Sequence, residues 1–127
     1  MRILAVDDDD LVLRLLSTVL EAHGHTVATV RDARDVIEVS DRFRPDLVFL
    51  DIAMPHRDGV SLMGELRASR QGAEIPIYAL TASHYSQVQH CVGQGGFTGV
   101  LRKPCSMKTL LRLTADTERT AACRPAP

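Results

Sequence analysis

No stretch of this chain approaches the length of a membrane span, and no charged-then-apolar secretory segment precedes the first apolar run. A cytoplasmic protein with no membrane partner is therefore expected. Charge of one sign is also missing. The 15 Lys and Arg residues against 16 Asp and Glu leave a net charge of −1 without a long single-sign run, which argues against gripping nucleic acid by electrostatics alone. Cysteine is sparse: Cys91, Cys105 and Cys123 are an odd number, widely spaced, with no CxxC pair, so reduced thiols are expected. The five histidines do not cluster at metal-ligand spacing, and His23 and His25 flank Gly24, where they shape a helix end rather than bind zinc. No internal repeat or low-complexity segment stands out. At 127 residues the chain has room for one domain and one core.

What is present is an alternation of short apolar runs and helical stripes. Ile3–Val6 reads as a strand cut off by four successive aspartates, Asp7 to Asp10. Val12, Leu15, Leu16, Val19 and Leu20 recur at helical spacing, and Gly24 can cap that helix. The β-branched run Thr26–Val30 is a second strand. Asp32 can cap a second helix whose inner side is Ala33, Val36, Ile37 and Phe43. The run 46–50 then ends in Asp51 and a turn bounded by Met54-Pro55, which reads as a buried parallel strand ending in an acid. A turn over 56–59 leads to a third helix with Leu62, Met63 and Leu66 inward. Strand four covers 75–80, with Pro76 near its start. The segment 84–94 carries only Tyr85, Val88 and Val92 as an apolar stripe, which makes it the most polar predicted helix. Strand five covers 99–101, Arg102-Lys103-Pro104 follows, and Met107, Leu110, Leu111 and Leu113 mark a last helix. From about 118 the chain turns polar and proline-bearing, so a folded unit over 1–117 and a loose tail over 118–127 are expected. Five strand–helix alternations with short connections predict an α/β fold: a doubly wound five-stranded parallel sheet with helices on both faces.

In such a sheet the carboxyl ends of the strands share one edge, where ligands bind. Asp7 and Asp8 follow strand one, Asp51 ends strand three, Thr81 follows strand four and Lys103 follows strand five. Two unit charges about 4 Å apart repel by roughly 4 kcal/mol at an effective dielectric near 20, so three carboxylates in one cleft call for a cation or a raised pKa. A hard cation with oxygen ligands, Mg²⁺ before Ca²⁺, is the natural remedy. Singly, each residue has a plainer explanation: Asp9 and Asp10 as helix caps, Asp51 as a turn acid, Lys103 as a surface lysine. Their joint placement at four strand ends is what points to a site.

The order and spacing of Asp7-Asp8, of Asp51 within Asp51-Ile52-Ala53-Met54-Pro55-His56-Arg57-Asp58-Gly59, of Thr81-Ala82 and of Lys103-Pro104 make the chain resemble a response-regulator receiver domain from Ile3 to about Thr114. The resemblance implies the strand order 2-1-3-4-5. It also implies that Asp51 accepts a phosphoryl group from a histidine of a kinase or phosphotransfer protein. Asp8, Asp51 and the Ala53 carbonyl would hold Mg²⁺ directly, with Asp7 acting mainly through water. Thr81 would bind a phosphoryl oxygen, and Lys103 would pair with the phosphate or, before phosphorylation, with Asp51. A cis bond before Pro104 is expected on the same ground. The resemblance departs at Val100, where many relatives carry Tyr or Phe. A ring-flip switch is not expected at that position. Cys105 reads as a small hydrophobe at a helix start.

About ten residues beyond the receiver unit are too few for a second core, so a stand-alone receiver is expected. It would act as a phosphorelay carrier or a phosphorylation-dependent protein-binding switch, not as an enzyme beyond its own phosphorylation and dephosphorylation. A downstream protein would meet the face formed by the segment 84–94, strand five and the last helix. Two alternatives stand beside this. A Mg²⁺ phosphatase of the haloacid-dehalogenase type would place its nucleophile after strand one, within Asp7-Asp8-Asp9. A receiver-like adaptor would work without phosphorylation.

Overall fold

The computed structural model describes residues 1–55, 57–69, 73–82, 88–93 and 95–122. The elements follow in the order β1 (Arg2–Val6), α1 (Asp10–Ala22), β2 (Thr26–Val30), a single 3-10 turn (Ala33–Asp35), α2 (Val36–Phe43), β3 (Leu47–Asp51), α3 (Gly59–Ala68), β4 (Ile77–Thr81), β5 (Gly99–Arg102) and α4 (Met107–Ala122). The five strands form one parallel sheet in the order β2-β1-β3-β4-β5, as the doubly wound pattern requires.

The central strands alternate between two cores. Leu4, Val6, Val48 and Leu50 face one side, with Val36, Leu62, Met63, Leu66, Val88 and Phe97 packed over them. Ile3, Ala5, Leu47 and Phe49 face the other, under Leu13, Leu16 and Leu20 of α1 and Leu110 of α4. Because β3 is covered on both faces, all five of its residues are buried, the burial expected of a central parallel strand. Phe49 is fully buried, and truncating a core phenylalanine costs about 3–5 kcal/mol.

Side-chain caps set where the helices start. The Asp9 carboxylate accepts from the Leu11 amide, and the Asp58 carboxylate accepts from the Ser61 amide. Asp32 caps the 3-10 turn by accepting from the Arg34 amide. Gly24 takes a left-handed φ of +89° just after α1, where the sequence predicts the helix to stop.

Some phases and ends differ from the sequence expectation. Leu15 is on the outside of α1 and Leu13 takes the inward position, because the buried stripe runs through 13, 16 and 20. β4 starts two residues later than expected, since Pro76 has no amide to donate, although its carbonyl still accepts from Val48 N. The last helix continues to Ala122, past position 117 where the sequence suggests the chain loosens. Of the helix expected over 84–94, residues 84–87 and 94 lie outside the described residues, as do 123–127, and 90–93 form a turn instead of continuing the helix. Of that segment, Val88 and Gln89 are helical and Val88 is buried.

Candidate functional site

Parallel register brings the strand ends together. Val6 pairs with Leu50, so the next residues, Asp7 and Asp51, lie side by side at the carboxyl edge. Asp51 pairs with Leu80 and Thr81 with Arg102, which places Thr81 and then Lys103 on the same edge. A backbone hydrogen bond from Lys103 N to Thr81 O, 2.8 Å, ties the two loops. The peptide bond between Lys103 and Pro104 is cis.

Asp7, Asp8 and Asp51 each offer a carboxylate oxygen, all within 4.8 Å of one another. Asp7 is fully buried, Asp51 is 3% exposed and Thr81 is 1% exposed, whereas Asp8 faces solvent. Both buried acids hold their own loops. Asp7 Oδ1 accepts from the Asp9 amide at 2.9 Å, and Asp51 Oδ1 accepts from the Ala53 amide at 3.2 Å. Lys103 sits between them, its Nζ 2.6 Å from Asp7 Oδ2 and 3.4 Å from Asp51 Oδ1. The lysine thus bridges two acids and lies nearer Asp7, where the resemblance led us to expect Asp51 as its partner. The geometry of the Asp7 contact is that of an ion pair rather than a hydrogen bond. Asp7 Oδ2 has no hydrogen-bond donor among the described residues.

One ammonium does not balance three carboxylates. Burial, and then the negative charge of Asp7, push the Asp51 carboxyl up to about 6, against the opposing pull of the Ala53 amide and Lys103. Burial pulls the Lys103 ammonium down, but its close contacts with the negative charges of Asp7 and Asp51 outweigh it and leave its pKa raised, so it stays protonated. An incompletely satisfied buried oxygen, an exposed acid and a carboxyl with a raised pKa form an oxygen-rich donor set that suits a small hard cation.

Gly59 is a site residue that the sequence marks only as part of a turn. A Cβ there would lie 2.5 Å from Ile52 Cα and 2.9 Å from the Asp51 carbonyl oxygen. The absence of a side chain lets the start of α3 press against the end of β3, and the Gly59 amide donates to Ile52 O at 3.1 Å. The Asp58-Gly59 pair carried a turn signal, but the close approach depends on β3 and α3 being packed together. Ala53 and Ala82 are exposed beside the cleft. Val100 is half-buried against the core cluster that includes Phe97. Cys105 is half-buried under α1 and α4, consistent with a small hydrophobe, and burial pushes its thiol up. His56 and Ser83 lie outside the described residues.

A 2-1-3-4-5 parallel sheet with acids after its first and in its third strand, a threonine ending the fourth and a lysine after the fifth defines a doubly wound signalling receiver. The chain belongs to the response regulator receiver domain family, whose model matches residues 3–115. It is 35% identical over 113 residues to an uncharacterised 14.6 kDa protein of Leptolyngbya boryana, covering 89% of this chain and 86% of that one. It is 36% identical to the response regulator MprA of Mycobacterium leprae, over 94% of this chain but 52% of the relative; the chain spans about half the length of such mycobacterial proteins. Among solved structures, the chemotaxis response regulator CheY4 of Vibrio cholerae superposes with a TM-score of 0.82 at 29% identity, covering 91% of this chain and 97% of that one. The receiver domain of the Pseudomonas aeruginosa sensor histidine kinase PA1611, solved with magnesium in its active-site cleft, gives 0.78 at 30% identity, over 88% and 92% of the two chains. Membership of this two-component signalling family weighs against the haloacid-dehalogenase alternative. No helix among the described residues is long and apolar enough to cross a membrane.

Proposed function

We propose that Asp51 accepts a phosphoryl group from a phosphohistidine of a histidine kinase or histidine phosphotransfer protein, and that the chain serves as a phosphorelay carrier or phosphorylation-dependent protein-binding switch. The observation that carries this reading is the buried Asp51 carboxyl, raised to about 6 and set between Asp7, Asp8 and Lys103. Above that pKa the carboxylate is predominantly ionised, so it is a competent oxygen nucleophile at neutral pH. Its attack on phosphorus forms an O–P bond and breaks the P–N bond to the donor imidazole, which leaves neutral with the proton already on its other ring nitrogen.

Asp8, Asp51 and the Ala53 carbonyl would hold Mg²⁺ directly, with Asp7 acting through water. When bound, Mg²⁺ supplies positive charge to the oxygens of the transferring group. The Lys103 ammonium, already between Asp7 and Asp51, is placed to follow the new negative charge on Asp51. Thr81 ends the neighbouring strand, where its hydroxyl would serve a phosphoryl oxygen, and the exposed Ala82 leaves an approach to the acid. The output partner would be a protein that meets the segment 84–94, β5 and α4.

A phosphotransfer profile against purified histidine kinases and histidine phosphotransfer proteins tests this reading. Rapid transfer from at least one donor, lost in Asp51→Asn, is the expected result. Absence of transfer from every donor, together with no binding of beryllofluoride in the presence of Mg²⁺, would favour the phosphorylation-independent adaptor.

A further inference from the structure

We propose that α3 is a strut that carries the state of Asp51 to the turn around Gly96, with Arg67 as its far attachment. The inference rests on Asp51 being the phosphoryl acceptor and names where the state of that acceptor is read.

The near end has no slack. Gly59 meets the backbone of Asp51 and Ile52 at distances that leave no room for a Cβ. The Gly59 amide is bonded to Ile52 O, and Ala53 and Asp58 form an isolated antiparallel bridge across the intervening loop. A shift of the β3 end therefore moves the start of α3. Between its ends the helix is held against the core by Leu62, Met63 and Leu66, all buried. Its ten residues span roughly 15 Å.

The far end is a fork. Arg67 Nε and Nη2 donate to the Gly96 carbonyl at 3.0 and 2.8 Å, and Nη1 donates to the Ile75 carbonyl. One guanidinium thus ties α3 both to the turn before β5 and to the segment leading into β4. Gly96 belongs to a closely bonded turn. Its amide donates to Gly93 O, Phe97 N donates to Cys91 O, Gly93 N donates to Phe97 O, and Cys91 N donates to Val88 O. A Cβ on Gly96 would fall 2.1 Å from the Cys91 carbonyl oxygen, so this turn is as tightly fitted as the Gly59 junction. It is anchored inside by Val88 and Phe97 and exposes Gln89, His90 and Val92. Tightly packed elements shift between discrete arrangements rather than deform smoothly, so a helix fitted without slack at both ends passes on displacement.

The test uses the full chain with Mg²⁺ and beryllofluoride, fluorine-19 NMR to report the bound analogue, and hydrogen exchange at the amides of Gly96, Phe97 and Thr98. In the unmodified protein the analogue should change the protection of these amides by about threefold or more, the low end of measured coupling energies. In Arg67→Met, which keeps the apolar stem, the bound fluorine signal should persist while the protection change falls below about 1.5-fold. If the Met variant does not fold, Arg67→Lys, which keeps the charge but loses the fork, is judged by the same criterion. A bound signal with unaltered protection in the unmodified protein overturns the strut, as does an undiminished change in the variant. No bound signal in the unmodified protein refutes the acceptor role of Asp51 and removes the strut with it, which keeps the two failures distinct.

Discussion

Replacing the central acid should make the metal-free protein more stable. The Asp51 carboxyl is raised from its ordinary 3.8 to about 6, first by burial and then by Asp7. A carboxyl whose pKa is higher in the folded than in the unfolded state costs stability wherever it is ionised. The cost is absent below about pH 3.8, builds as the pH rises through that window and is complete above about 6. The full rise corresponds to roughly 3 kcal/mol at 1.36 kcal/mol per pKa unit. The cleft is open on the Asp8 side, so screening by solvent reduces this to about 1–2 kcal/mol. Asp51→Asn removes the charge with nearly unchanged shape, and Lys103 retains Asp7 as its partner. In a chelating buffer at pH 7.5 the variant should melt roughly 3–10 °C above the parent, at about 3–5 °C per kcal/mol for a domain of this size. Near pH 4 the difference should shrink toward zero. Urea or thermal unfolding at both pH values measures it. A variant less stable at pH 7.5, or a gain independent of pH, would refute the claim that Asp51 is strained by burial and by Asp7.

Two further outcomes follow from the same geometry. Mg²⁺ at ten times its dissociation constant should add about 1.4 kcal/mol of stability, seen as a raised melting temperature and reduced in Asp8→Asn; no shift at millimolar Mg²⁺ counts against the carboxylate site. Gly59→Ala forces a Cβ to within 2.5 Å of Ile52 Cα and should cost about 1–3 kcal/mol despite alanine's better helix propensity, so an unchanged urea midpoint would contradict the tight β3–α3 junction.

The fold was legible wherever burial imposes a pattern. β3 reads as a continuous apolar run because it is covered on both faces, and Thr26–Val30 reads as a strand from its β-branched residues. The strand ends that make the site were legible too, since an acid, a threonine or a lysine lies at the end of β1, β3, β4 and β5 on the shared edge. What the chain order hides is the distance between those ends. Lys103 lies nearer Asp7 than Asp51 because its long side chain reaches from the edge strand past β4 and β3 to the end of β1, a relation that depends on the packed edge. The phase of α1 was ambiguous because Leu11, Leu13, Leu15 and Leu16 offer more than one apolar stripe, and burial selects 13 and 16. Arg67 reads as one more surface arginine, and its fork to Gly96 and Ile75 emerges only when α3 packs beside the turn.

The most direct test of the account is to locate the phosphoryl group. The protein is incubated with a phosphorylated histidine donor and Mg²⁺, trapped, digested and mapped by mass spectrometry. One acid-labile phosphoryl group on Asp51, and none in Asp51→Asn, is the expected result. Labelling that persists in that variant, or that maps to Asp7 or Asp8 in the parent, would contradict it.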